Sequence, residues 1–503
     1  CIFGVIDKGN SSSFNIESAI TDPILFEHSS NKLKVYAGGN KRNLFFDHSS
    51  TQNDKYSWVI SGIGLKPNGA GNDLFVKQDW SNHLETLQNI DGHFVLVKWN
   101  EAEIVFESDP LGLRDIYISE SENEILFSTR IDWLTKIHKL TLNFKEFGSR
   151  WLLYNQITNN SVFNGVERIV AGKKAIISFN GFKIKYFESN WLPDEQSQNI
   201  DVESFSESLK PLIFIENKRT LGLSGGMDSR VILSYLLHEN SDWDTFTFGD
   251  PKHPDSLIAK SLVNNLNLSH NQYNASLPPA EDLIAKIKDY SVKTIVNNAA
   301  SAISQTLNYY TLGNHHSALI DGCLGEIWRR EFFYRLYFHG KKSILNRDVK
   351  GIIPNISLPH ADIFTEEINV LMSSSLENQM HYWFEILPLV ENIGVENWID
   401  LFALKTRMPN YFSHEQTIID DLVTSIMPFA QLSLLNKLFN VPISFRKNGS
   451  MLRSLININF PLLKKYPLVK GSSIHPYFFN SFQSRVLSQF RKKLSKNIYK
   501  DNS

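Results

Sequence analysis

The sequence predicts an α+β domain followed by an α/β domain that has a parallel sheet and a helical C-terminal part. Three observations carry this. The 503 residues exceed what one compact core holds, so two domains are expected. The first 190 residues are short apolar runs separated by Gly, Asn, Ser and Asp, the pattern of strands joined by turns. Beyond residue 200, strand-like and helix-like patterns alternate, which predicts a parallel sheet with ligands at its strand ends.

The strands of the first part, residues 1–190, are expected at, among others, Lys34–Ala37, Ser57–Ile60, His93–Val97 and Glu103–Phe106. A polar stretch without periodicity, Trp191–Asn199, reads as the linker to the second part, residues 200–503. There, Arg219–Gly222 reads as a strand and Val231-Ile232-Leu233 as the start of a buried helix. Trp243–Gly249 reads as the next strand, and helical patterns rich in aromatic residues follow from about residue 330.

Composition narrows the function classes. A formal net charge of -2 gives no case for a nucleic-acid or membrane surface. No apolar run reaches the length of a bilayer span, and the N-terminal residues lack the pattern of a secretory signal. Cys1 and Cys323 are the only cysteines, so no disulfide framework is expected. A soluble cytoplasmic enzyme fits these features, and a homo-oligomer stays open.

The most informative stretch is Leu223-Ser224-Gly225-Gly226-Met227-Asp228-Ser229, between the strand and the helix. Adjacent glycines let the backbone approach a phosphate without a Cβ in the way. The loop N–H groups and the helix start supply partial positive charge. Ser224 and Ser229 add hydroxyl donors, and Asp228 is a candidate magnesium ligand. The alternative is an ordinary Gly-Gly turn capped by Ser and Asp. The spacing is not that of a Walker A loop.

This loop resembles the Ser-Gly-Gly-x-Asp-Ser pyrophosphatase (PP) loop of enzymes that split ATP between its α and β phosphates, and within them the asparagine synthetase family. The resemblance implies a PP-loop synthetase domain that uses ATP and Mg2+ to adenylate a small-molecule or peptide carboxylate, which an amine then attacks. Phe248 and Gly249, at the end of the next strand, stand where the family contacts adenine and ribose. Asp321-Gly322-Cys323-Leu324-Gly325-Glu326 resembles the family's second phosphate loop, one residue short. Gly322 is there a phosphate contact and Glu326 a catalytic acid, while Gly325 replaces the usual Asp; Asp321 or Glu326 substitutes as the second metal ligand, the alternative being that both are helix-capping acids. Arg329 and Arg330 are candidates for pyrophosphate, although paired arginines at a helix start more often form a solvated face; Cys323 reads as a packing residue. Lys470, in Val469-Lys470-Gly471, resembles the family's late catalytic lysine.

Cys1 is the other strong clue. A cysteine beside a free α-amine supplies nucleophile and base in one residue. Cys1-Ile2-Phe3-Gly4-Val5, Asp91-Gly92-His93-Phe94 and Asp109–Tyr117 resemble class II glutamine amidotransferase domains, which implies a four-layer αββα N-terminal-nucleophile fold. The glutamine grip matches poorly. Its oxyanion segment falls at Ser61-Gly62-Ile63-Gly64, with Gly62 as the backbone donor, or at Asn68-Gly69, with Arg42 as the substrate arginine. Neither register keeps the family's Glu. Three readings therefore stand: a glutamine-fed ligase, a relative with a relic first domain that closes an intramolecular amide, and a non-catalytic nucleotide-binding protein.

Overall fold

The computed structural model describes residues 1–9, 20, 23–48, 56–67, 72–153, 155–195, 198–215, 218–239, 242–273, 279–293, 295, 309, 312–313, 317–470, 473–480, 482–484 and 486–490. Asn68, Gly69, Gly471 and most of the basic tail lie outside them. Among the described residues no helix is long and apolar enough to cross a membrane.

Among the described residues, thirteen strands precede residue 190. They are β1 (Ile2–Asp7), β2 (Ile24–Ser29), β3 (Leu33–Gly38), β4 (Leu44–Asp47), β5 (Ser57–Pro67), β6 (Asn72–Leu74) and β7 (Asp91–Trp99). Then come β8 (Glu103–Ser108), β9 (Ile116–Glu120), β10 (Glu124–Ser128), β11 (Val166–Ile169), β12 (Lys174–Ser178) and β13 (Ile184–Phe187). They form two sheets, ordered β11-β9-β10-β1-β3-β2 and β13-β12-β8-β7-β5-β4, with β6 beside β5. Every pairing in both is antiparallel.

Side-chain alternation sets the layers, because successive residues of a strand face opposite sides. On β1, Ile2 and Ile6 join Val95, Val97 and Phe106 of the other sheet in the core between the two. Phe3 and Val5 face outward onto Trp133 and Leu134 of helix Ile131–Thr135. On β7, Phe94 and Leu96 face outward onto Trp80 of helix Lys77–His83. The order is helix, sheet, sheet, helix, with short outer helices.

The second part holds β14 (Lys218–Gly222), β15 (Asp242–Phe248), β16 (His270–Tyr273), β17 (Ala318–Ile320) and β18 (Ser425–Ile426) in one sheet ordered β16-β15-β14-β17-β18. All its pairings are parallel. From β14 the chain moves outward through β15 and β16, then returns to the other side of β14 as β17. The strand order therefore reverses between β14 and β17, and the crevice at such a reversal is where open α/β sheets bind ligands. Long helices, Glu366–Ile386 and Val390–Arg407, build the C-terminal part. A small hairpin, β19 (Leu468–Lys470) and β20 (Ser473–His475), ends it.

Candidate functional site

The Leu223–Ser229 loop leaves β14 at the sheet reversal. Its hydroxyls are spent on the loop itself: Ser224 N–H donates to Ser229 Oγ at 3.2 Å, and Gly226 N–H donates to Ser224 Oγ at 3.1 Å. Gly226 then caps helix Met227–Leu236. Leu223 N–H donates to Phe246 O at 2.8 Å, and the Thr247 hydroxyl donates to Leu223 O at 2.6 Å, fixing the loop to β15. Gly225 N–H donates to Asp255 Oδ1 at 2.9 Å, from the first turn of helix Pro254–Leu266.

A cavity of about 530 Å³ opens over this loop. Ser224, Gly226, Asp228 and Ser229 line one wall, Phe246, Phe248 and Gly249 a second, and Asp321, Gly322 and Glu326 a third. The structure thus brings both phosphate-loop candidates and the β15 end to one space. Tyr309 and His253 also line it.

The strand of Lys470 comes to the loop from 244 residues away in sequence, counting from position 226. Val469 N–H donates to Gly225 O at 2.9 Å, so β19 lies as a strap on the loop. A Cβ on Gly225 would sit 2.3 Å from Val469 Cγ2, which explains the glycine by close approach. The strap is held by Arg230, fully buried. Its Nη1 donates to Tyr466 O at 2.7 Å and its Nη2 to Pro467 O at 2.8 Å. Sequence reading missed Arg230. An arginine on the buried face of a helix was the available signal, since such a group needs partners.

The expected metal pair is not formed. Both Asp228 oxygens accept from Arg329, Oδ1 from Nε at 2.8 Å and Oδ2 from Nη2 at 2.7 Å. Arg329 also pairs with Glu331 at 2.8 Å, and Glu331 in turn with Lys470 at 2.7 Å. Burial pushes the Asp228 carboxyl above its ordinary value; Arg329 opposes this, and Glu326 adds to it. Glu326 Oε2 is buried without a hydrogen-bond partner. No cluster of three or more His, Cys, Asp or Glu able to hold a metal occurs among the described residues. With Asp228 committed to a guanidinium, Asp228 and Glu326 as arranged do not fit magnesium.

Gly325, where an acid was expected, has a steric reason. A Cβ there would lie 2.2 Å from Asp228 Cγ and 2.4 Å from Oδ1, so an acid and the Asp228–Arg329 pair exclude each other. The arginines are not a solvated face either: Arg330 is buried against Asp400 at 2.9 Å. Asp321 accepts from Cys323 N–H at 2.9 Å as a turn cap. Burial pushes the Cys323 thiol well above its usual value, the state of an inert packing cysteine.

At the other site, Cys1 is 2 % exposed. Its α-amine donates to Gly38 O at 2.7 Å and Asp421 Oδ1 at 3.1 Å, and its Sγ donates to Asp421 Oδ2 at 2.6 Å. Asp421 ends helix Ser413–Leu422 of the second part. Its neighbour Asp420 is buried against His93 at 3.0 Å, against Gln416 at 2.8 Å and against Arg114. Arg114 is aimed by the Asp109–Arg114 turn, whose Asp109 carboxylate accepts four backbone N–H bonds at 2.7 to 3.1 Å.

The Ser61–Gly64 segment stands beside Cys1: the Cys1 α-amine donates to Ser61 Oγ at 3.4 Å, and Arg114 Nη2 donates to the same oxygen at 3.1 Å. These residues lie within β5, with Gly62 opposite Phe94 and Gly64 opposite Gly92. Gly62 lets β7 approach, since a Cβ would lie 2.1 Å from His93 O. Arg42 sits in the 3-10 turn Lys41–Asn43, and the alternative pair Asn68 and Gly69 is outside the described residues.

A family comparison bears on the nucleotide side. Residues 216–318 match the asparagine synthase family model. That asparagine synthase segment runs from just before β14 to the first residue of β17, so it contains the whole first loop, β15 and β16. No curated protein matches the chain. Two solved structures align over 75 % of this chain at 11 % identity. An allosteric regulatory enzyme of purine biosynthesis is covered over 85 % of its length with a TM-score of 0.22. Glutamine phosphoribosylpyrophosphate amidotransferase from B. subtilis, complexed with ADP and GMP, is covered over 86 % with a TM-score of 0.20. Scores this low carry no fold assignment, which rests on the strand orders above.

Proposed function

We propose that the chain is an ATP-dependent amide-forming ligase of the asparagine synthetase type. The single observation behind this is the Ser224–Ser229 loop at the sheet reversal, inside the segment that matches asparagine synthase. A substrate carboxylate oxygen attacks the α-phosphorus of ATP; the bond to the β-phosphate oxygen breaks and pyrophosphate leaves. An amine then attacks the acyl carbon, loses a proton, and AMP departs. In this reading Leu223, Ser224, Gly225, Gly226 and Ser229 surround the phosphates, and Ser224 and Ser229 exchange their hydrogen bonds within the loop for phosphate oxygens. Phe248 and Gly249 border the base, and Gly322 lies against the phosphate loop.

Lys470 and Arg329 are cations beside the loop, and both are shared with Glu331. A fixed cation beside developing negative charge is a large part of such catalysis. Their release from Asp228 and Glu331 to incoming phosphate gives the site its charge balance. ATP–pyrophosphate exchange with a panel of small carboxylic acids and peptides tests the proposal. Exchange with at least one acid supports it; label that stays in pyrophosphate with every acid favours a nucleotide-binding protein without turnover.

The relic-domain reading is favoured by one observation, the engagement of both Cys1 groups by Asp421.

A further inference from the structure

Cys1 faces a carboxylate from the other half of the molecule. Sγ donates to Asp421 Oδ2 at 2.6 Å, and Asp421 Oδ1 lies 3.1 Å from the α-amine. The Cys1 side chain is 1 % exposed and that of Asp421 16 %. We propose that Asp421 is a latch that closes Cys1 to glutamine, so that the amine joined in the second domain does not come from glutamine hydrolysis at Cys1. This rests on the ligase reading for the second domain, whereas the latch itself rests on geometry alone.

Three arguments support it. An acyl donor must bring its carbonyl carbon within about 3 to 3.5 Å of the sulfur before attack. The Asp421 carboxylate already stands at hydrogen-bond distance there. The thiolate is the reactive form, and ionising a thiol that donates to a carboxylate places two negative charges in contact. A glutamine substrate would add its own α-carboxylate and a developing oxyanion near that charge.

The latch has little slack. Asp420, its neighbour, is fixed by Arg114, His93 and Gln416. Asn43 Nδ2 donates to Asp420 O at 2.8 Å and to Val423 O at 3.1 Å, gripping the chain on both sides of Asp421. On the far wall, a Cβ at Gly39 would lie 2.6 Å from Asp421 Oδ1. Opening the site therefore requires the Asp421 side chain to turn off Cys1, or the end of helix Ser413–Leu422 to move away from the first domain. Its Glu415 interacts with Asp321 at the other end, beside the nucleotide cavity.

The test uses the full chain with iodoacetamide, reading Cys1 and Cys323 separately by peptide mass. Asp421→Ala should speed Cys1 alkylation at least tenfold while leaving Cys323 unchanged. Asp421→Asn, which keeps the shape and loses the charge, should give a smaller gain and guards against misfolding of the alanine variant. Wild-type chain should release no more ammonia from glutamine than Cys1→Ala, with or without ATP. Equal Cys1 alkylation in wild type and both variants overturns the latch, as does glutamine-dependent ammonia release that Cys1→Ala abolishes. None of these readouts requires adenylation, so failed ATP–pyrophosphate exchange would sink the ligase reading and leave the latch standing.

Discussion

Replacing Gly225 by alanine tests whether the phosphate loop and the Lys470 strap are one unit. The backbone at Gly225 is not in the left-handed region, so an added methyl meets no conformational penalty and acts through contact alone. It would lie 2.3 Å from Val469 Cγ2 and 2.9 Å from Val469 Cβ, with Asp255 Oδ1 at 3.2 Å. Overpacking of this kind costs about 1–3 kcal/mol. The strap can lift more easily than the loop can move, because the loop is tied to β15 and Asp255. The Val469 N–H bond to Gly225 O should therefore open, and at about 2 kcal/mol its exchange protection falls roughly 30-fold. Hydrogen exchange read on peptides covering residues 466–470 measures this. Val469→Gly removes both clashing atoms, so Gly225→Ala in that background should cost much less, a coupling within the range for residues in contact. Equal losses in the two backgrounds, or unchanged protection in Gly225→Ala, would refute the contact.

Other outcomes follow from the buried networks. Arg230→Met leaves the Tyr466 and Pro467 carbonyls without their donor, and unsatisfied buried groups cost about 1–3 kcal/mol each, so limited proteolysis should cut the strap faster. Asp420→Ala strands Arg114 and His93 in the interface between the halves; losing one partner of a buried pair costs about 3–5 kcal/mol, and a lowered first thermal transition should report it. Burial opposes ionisation of Asp420, but His93 and Arg114 outweigh it and hold its carboxyl below the ordinary value. Its contribution is therefore full above the ordinary carboxyl range near pH 4 and is lost as pH falls through the lowered value. The wild-type thermal midpoint should fall below pH 4 more steeply than that of Asp420→Asn.

Much of the nucleotide side was legible in sequence because it is local. The strand, the two glycines and the helix lie within about twenty residues, and their chemistry is fixed by backbone reach. Lys470 was found only through a family resemblance, and its placement depends on Arg230, whose partners lie more than 230 positions away. The metal pair failed for a similar reason: Asp228 reads as a free ligand until Arg329, 101 positions on, is seen to take both oxygens. At Cys1 the strands were readable from alternation. Its closing partner was not, since Asp421 lies 420 residues away and an Asp-Asp pair at a helix end looks like solvated surface.

The central claim is that the Leu223–Ser229 loop serves cleavage of ATP between its α and β phosphates. Following the products of ATP labelled at the α and γ positions, with an acid that supports exchange, tests it most directly. The account predicts label in AMP and in pyrophosphate, with both lost in a Ser224→Ala, Ser229→Ala double variant. Label in ADP and free phosphate would contradict it.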